Sequence, residues 1–183
     1  CAVDRTQGEL GLCGTGMSPV IASAGPHYGE ESVLVGRGGS GTIFFSGCNL
    51  ACVFCQNYDI SQQRQGNPRT ADELASMMLR LQAMSCININ WVTPTHQIHA
   101  AVAALSKARE RGLTLPVVYN CGGYESIQTL KCIEGVVDIY MPDAKYADET
   151  TAGVYSGAPD YPQVMRKALL EMHRQVGDLN IRE

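Results

Sequence analysis

Gly41-Thr42-Ile43-Phe44-Phe45-Ser46-Gly47-Cys48-Asn49-Leu50-Ala51-Cys52-Val53-Phe54-Cys55 is the stretch on which the reading of this chain turns. Its first part is a short run of β-branched and aromatic residues, the composition of a buried strand. A Ser-Gly pair follows, and then three cysteines fall within eight residues, spaced C-x3-C-x2-C. Three thiolates on one loop can bind three corners of an iron–sulfur cubane, whereas a structural cluster ordinarily takes four cysteines. With no fourth cysteine nearby, one iron is left open to a substrate or cofactor, as one position is left open in a catalytic zinc site. The spacing differs from the paired C-x2-C of zinc ribbons. A structural zinc completed by a distant His or Cys, and buried cysteines without metal, remain the competing readings of the spacing alone.

Outward from this loop the chain alternates. Ala71 to Met84 is apolar at helical spacing, with Thr70 as N-cap and Glu73 three residues on, the signature of a capping box. Ile87 to Val92 reads as a strand, Ile98 to Arg111 as an Ala-rich helix closed by Gly112, and Leu115 to Tyr119 as a strand containing Pro116. Ser126 to Ile133 reads as a helix closed by Gly135, Val136 to Tyr140 as a strand, and Tyr161 to Val176 as a helix with Pro162 in its first turn and Gly177 at its end. That is four strand-then-helix units, with strands apolar enough to be buried on both faces of a parallel sheet. The pattern fits either a doubly wound sheet or part of a (β/α) barrel. In both, ligands sit at the C-terminal ends of strands, so the loops beginning near Ser46, Thr93, Asn120 and Met141 are where chemistry is expected.

Residues 1–40 are expected to form a loop-rich segment punctuated by glycine and carrying short strands at Val20 to Ala22 and Ser32 to Val35; residues 41–183 carry the βα units. The 183 residues contain 45% hydrophobic and 17% charged residues, which argues for a packed domain rather than disorder. A net charge of -4 offers no electrostatic reason to bind nucleic acid. No apolar run is long enough to span a bilayer and no secretory signal is evident, so no membrane association and a cytoplasmic location are expected. The eight cysteines are then better read as metal ligands or buried thiols than as disulfides. The chain starts at Cys1 and stops just after a helical pattern, which suggests a fragment.

The segment Gly47-Cys48-Asn49-Leu50-Ala51-Cys52-Val53-Phe54-Cys55-Gln56-Asn57, with an aromatic before the third cysteine, resembles the signature of radical S-adenosylmethionine (SAM) enzymes. Its context, Gly41 to Phe45 on one side and Tyr58-Asp59-Ile60-Ser61 on the other, is similar to proteins related to the pyruvate formate-lyase activating enzyme. The resemblance implies a partial (β/α)6 barrel, here ending after four units, and an oxidoreductase holding a [4Fe-4S] cluster on Cys48, Cys52 and Cys55. It implies SAM on the open iron, cleaved by one electron to methionine and a 5′-deoxyadenosyl radical. Phe54 and the main chain to Gln56 are then expected near the adenine. The implied partners are a reducing donor of the flavodoxin or ferredoxin kind and, as acceptor of the radical, either a glycyl radical enzyme or a small molecule or peptide.

The other strand ends can be read against that resemblance. Related activating enzymes carry Gly-Gly-Glu after the second of these strands; this chain has Thr93-Pro94-Thr95-His96, whose Thr93 and Thr95 hydroxyls could accept from the SAM ammonium. His96 reads as a helix-start histidine, with a ligand or proton donor as the alternative. Asn120, polar at a buried strand end, is expected near SAM, and Gly122-Gly123 would permit close backbone approach. Cys121 reads as a small buried residue. Asp143-x-Lys145 resembles an Asp-x-Lys element that lies near the SAM carboxylate in activating enzymes. Cys1 and Cys13 read equally as a second metal site or as free thiols. His27, Glu30 and Glu31 read as solvated loop charge, with a place at the substrate mouth as the alternative.

Overall fold

The alternating pattern resolves into one six-stranded sheet of order β3-β1-β2-β4-β5-β6 in the computed structural model, which describes residues 3–180. The strands are β1 (Val20–His27), β2 (Ser40–Phe45), β3 (Asn67–Pro68), β4 (Ile89–Val92), β5 (Val117–Cys121) and β6 (Ile139–Pro142). From β2 to β6 every neighbouring pair is parallel, while β1 runs antiparallel to both β2 and β3. The parallel strands are added in one direction without a reversal of order. A doubly wound sheet needs that reversal, so the arrangement is the one compatible with an arc of a barrel.

The connecting helices are α1 (Ser32–Val35), α2 (Tyr58–Ser61), α3 (Ala71–Ala83), α4 (Ile98–Glu110), α5 (Ile127–Cys132), α6 (Glu149–Ser156) and α7 (Tyr161–Val176). Helix α3 begins with the expected capping box, both arms present between Thr70 and Glu73. Helix α7 starts and stops where the sequence indicated, with Pro162 in its first turn and Gly177 at its C-cap. In α4, Ala101, Ala104 and Ala108 are fully buried, and their small side chains let the helix lie close on the sheet.

Side chains alternate across a strand. The row Ile43–Trp91–Tyr119–Tyr140, in register across the four parallel strands, belongs with Leu74, Met78, Leu130 and Met172 in the main apolar core. The adjacent row, Phe44–Val92–Asn120–Met141, points to the other face. That face is polar lower down: Ser40 Oγ donates to Asn88 Oδ1 at 2.8 Å, and Asn90 Nδ2 donates to Ser40 Oγ at 3.2 Å.

Several elements differ from expectation. Ser32 to Val35 is one turn of helix, not a strand, because β1 already occupies the edge of β2 that such a strand would need. Strand β1 runs on through Pro26 to His27. Gly41 N–H donates away from β1 to Asn88, just before β4, so Pro26, opposite Gly41, has its nitrogen on the side of β1 that is unpaired beyond Ile21 and breaks no ladder bond. Strands β5 and β6 lie two or three residues further along than expected. The exchange between Val117 and Asp138, with Asp138 Oδ2 accepting from Val117 N at 2.8 Å, sets their common start and draws Asn120 and Cys121 into the strand. Helix α6 was not anticipated: Thr150, Thr151, Gly153 and Val154 are poor helix formers. It is held by Asp148, whose carboxylate accepts from Thr151 N, and by Gly157 in a left-handed C-cap. Among the described residues no helix is long and apolar enough to cross a membrane.

Candidate iron–sulfur and cofactor site

The chain leaves β2 through a tightly held turn. Gly47 has φ +83°, and a Cβ there would sit 2.6 Å from the Cys13 carbonyl and 3.1 Å from His96 Nε2, so only glycine fits. The Ser46 carbonyl just before it accepts two hydrogen bonds, from His96 Nε2 at 2.7 Å and from Gln97 Nε2 at 2.6 Å. Gln97 Oε1 accepts from Val20 N at 2.6 Å, which ties the same turn to β1. Burial pushes His96 down to about 4, so its imidazole is neutral and its Nε2–H donates to that carbonyl. His96 thus braces the turn and lies outside the sulfur-lined cavity.

Cys48, Cys52 and Cys55 are free thiols that line one cavity of about 550 Å³, within the ordinary range for small-molecule sites. Each sulfur accepts a hydrogen bond: Cys48 from Leu50 N at 3.4 Å, Cys55 from Ser61 Oγ at 3.2 Å and Cys52 from Ser156 Oγ at 2.8 Å. Burial, reinforced by the neighbouring Cys52 and Cys55, pushes the Cys48 thiol up to about 11. Three thiolates so close together need positive charge among them, which is what iron supplies. Among the described residues no three His, Cys, Asp or Glu side chains converge on the position of a single metal ion. A cubane makes a different demand, since each thiolate meets its own iron. The donor set and its hydrogen bonds therefore fit a cluster held at three corners. Two other candidate ligands reach the cavity wall. Cys121 is 2% exposed, its thiol is pushed up by burial, and it bonds Glu125. His27 lies opposite Ser40 at the far end of β2, roughly 15–20 Å along the strand from the turn.

Six of the seven expected SAM contacts line the same cavity: Phe54, Gln56, Thr93, Asn120, Asp143 and Lys145. Asp143 Oδ2 accepts from Lys145 Nζ at 2.5 Å, and although burial alone would lower the amine, Asp143 carries its pKa upward, so Lys145 is a cation. Their loop is anchored by Tyr161 Oη, which donates toward the Gly122 and Asp143 carbonyls at 2.7 and 2.9 Å and accepts from Lys145 N at 3.0 Å. Gly123 has φ +74°, and a Cβ there would lie 2.3 Å from the Asp143 carbonyl, so of the glycine pair it is Gly123 that serves a close backbone approach. Thr93 holds φ 57°, a costly value for a β-branched residue, and its N–H donates to the Asn120 carbonyl at 2.8 Å.

Thr95 is the exception. It lies with His96 in a separate cavity of about 390 Å³, and its hydroxyl donates to Glu125 Oε1 at 2.6 Å. Glu125, only 2% exposed, also accepts from Tyr119 Oη at 3.0 Å, and burial raises its pKa. Sequence reading passed over it because nothing in a loop glutamate announces burial. His27 and Glu30, read as solvated charge, stand on the wall of the main cavity, while Glu31 lines other hollows. Cys13 is buried beside Arg5 and Thr15; Cys1 lies outside the described residues.

Comparison with known proteins gives this geometry a family. The model of the radical SAM superfamily matches residues 42–174. An uncharacterized protein of Methanocaldococcus jannaschii is 32% identical over 91% of this chain and 49% of its own length, so the chain spans about half the length of that curated relative. The chain belongs to the radical SAM superfamily, whose members use a [4Fe-4S] cluster and S-adenosylmethionine.

Proposed function

We propose that Cys48, Cys52 and Cys55 hold the cluster, that one iron is left without a protein ligand for SAM, and that the enzyme cleaves SAM by one electron to begin a hydrogen abstraction. The observation that carries this reading is the meeting of the three sulfurs with Asp143 and Lys145 in one cavity. When bound, the cluster supplies an electron to SAM, whose cleavage yields methionine and a 5′-deoxyadenosyl radical.

The protein's part is to bind, orient and exclude water. Lys145, kept cationic by Asp143, offers a charge-assisted partner to the SAM carboxylate. Asn120 reaches the cavity from the strand end, and Thr93 from its strained turn. Phe54 and the backbone near Gln56, on the cavity wall, would hold the adenine. The cavity continues along the inner face of the sheet to His27 and Glu30, and that extension is where a substrate would lie.

A low-potential donor of the flavodoxin or ferredoxin kind would reduce the cluster. Activation of a glycyl radical enzyme is the favoured outcome, on the strength of the sequence context around the cysteine loop; a small molecule or peptide is the alternative acceptor. Anaerobic reconstitution with iron and sulfide, followed by reduction with SAM present, tests the cleavage. 5′-Deoxyadenosine is expected, and a protein that takes up zinc but never iron and sulfide would end the proposal. A glycyl radical EPR signal on a candidate partner separates the two acceptors.

A further inference from the structure

The three sulfurs are not supported alike. Cys48 receives one backbone N–H and Cys55 one serine hydroxyl, at 3.4 and 3.2 Å. Cys52 is the most deeply buried of the three and has the shortest contact, 2.8 Å from Ser156 Oγ. Behind it, Tyr146 Oη lies 2.6 Å from Ser156 Oγ. Both hydroxyl-bearing residues are buried, at 2% and 7% exposure.

Proton counting fixes the direction of this chain. A metal-bound thiolate carries no proton and can only accept. Ser156 has a single hydroxyl hydrogen, and it goes to Cys52 Sγ. The Ser156 oxygen then accepts, so Tyr146 Oη is the donor. Two hydroxyls in series polarise one another and strengthen the final bond to sulfur.

The geometry around the chain is rigid. The last carbonyls of α6, which a helix cannot satisfy internally, accept from the cysteine loop: Ala51 N to Ser156 O at 3.2 Å, and Val53 N to Tyr155 O at 2.9 Å. Cys52 is therefore clamped on both sides by α6. Tyr146 is fixed by edge-to-face contacts with Tyr161 at 5.4 Å and Phe54 at 6.2 Å.

We propose that Tyr146 and Ser156 form a hydroxyl relay that sets the reduction potential of the cluster through Cys52. It rests on the reading that Cys52 is a cluster ligand. Hydrogen bonds to cluster sulfur stabilise the reduced form, which carries one more negative charge, and so raise the potential. Both are positioning residues: neither touches SAM or the reacting atoms.

The test is an EPR-monitored redox titration of the anaerobically reconstituted full chain, comparing wild type with Ser156→Ala, Ser156→Thr and Tyr146→Phe. At a fixed poise, Ser156→Ala is expected to lower the ratio of reduced to oxidised cluster by about tenfold, the scale of one charge-assisted hydrogen bond. Tyr146→Phe, which keeps the ring and its packing, is expected to lower it by a smaller factor, and Ser156→Thr to restore it. Unchanged potentials in Ser156→Ala and Tyr146→Phe at wild-type iron and sulfide content would overturn the relay and leave the cluster assignment standing. A variant that fails to load where wild type loads would show the hydroxyl holding the loop rather than tuning it, and would overturn the relay as well. Failure of wild type itself to take up iron and sulfide would sink the cluster assignment first.

Discussion

The two faces of the sheet are built from alternate residues of the same strands, yet they do different work. Ile43, Trp91 and Tyr119 face the helices within the apolar core, and Tyr140 packs half-buried against it. One residue along each strand, Phe44, Val92 and Asn120 line the cavity that carries the three sulfurs. The first row packs by apolar burial, which is non-directional, and hands the Tyr119 and Tyr140 hydroxyls to Glu125 and Gln175. The second row sets apolar Phe44 and Val92 beside the polar Asn120 on the cavity wall. A period of two therefore lets one short strand serve stability on one side and chemistry on the other.

That division can be broken most severely at the sulfurs. Cys52→Ala is expected to abolish cluster assembly and 5′-deoxyadenosine formation while the far-UV circular dichroism of the fold persists; iron and sulfide analysis checks it. On the helix-facing side, Trp91→Ala opens a cavity in the core, with an expected loss of about 3–5 kcal/mol in urea unfolding. A much smaller loss there would mean that the two faces are not energetically distinct.

A pH experiment probes the brace between them. His96 titrates at about 4 in the folded protein because it is buried, against about 6.5 when unfolded. The unfolded chain then binds more protons below pH 6.5. The stabilisation is present above that value and is lost as the pH falls toward 4, by on the order of 3 kcal/mol in full. Urea midpoints measured at pH 7 and pH 4.5 should show the loss, and His96→Gln should flatten the dependence.

Thr95 and Asn120, at neighbouring strand ends, sharpen the comparison at smaller scale. Thr95→Val leaves Glu125 short of a donor and is expected to cost about 1–3 kcal/mol in stability, without changing SAM affinity in the reconstituted enzyme. Asn120→Ala is expected to do the reverse, with unfolding within about 1 kcal/mol of wild type and a roughly tenfold weaker SAM dissociation constant, the scale of one hydrogen bond. Urea unfolding reads the stabilities and calorimetric titration the affinities.

Much of this was legible from local chemistry. The capping box at Thr70, the Pro162 and Gly177 bounds of α7, and the run of parallel βα units all follow from residues within a turn or two of each other. So does the C-x3-C-x2-C loop, whose three cysteines fall within eight residues of the chain. Less legible were elements that depend on distant partners. Helix α6 was missed because its residues have weak intrinsic preference and its docking partner is a loop a hundred residues earlier. Thr95 reads as a ligand contact because a hydroxyl at a strand end offers an acceptor; the buried carboxylate that accepts its hydrogen bond is invisible until the fold brings Glu125 beside it.

By itself, then, the sequence determined the cysteine loop, the repeating strand-and-helix order and most helix ends, since each depends on neighbours in the chain. Only the tertiary structure decided which face each strand turns to the cavity, which threonine meets it, and that Ser156 would reach the Cys52 sulfur. Those outcomes depend on register, and register is set by pairing between strands and packing of helices far apart in sequence.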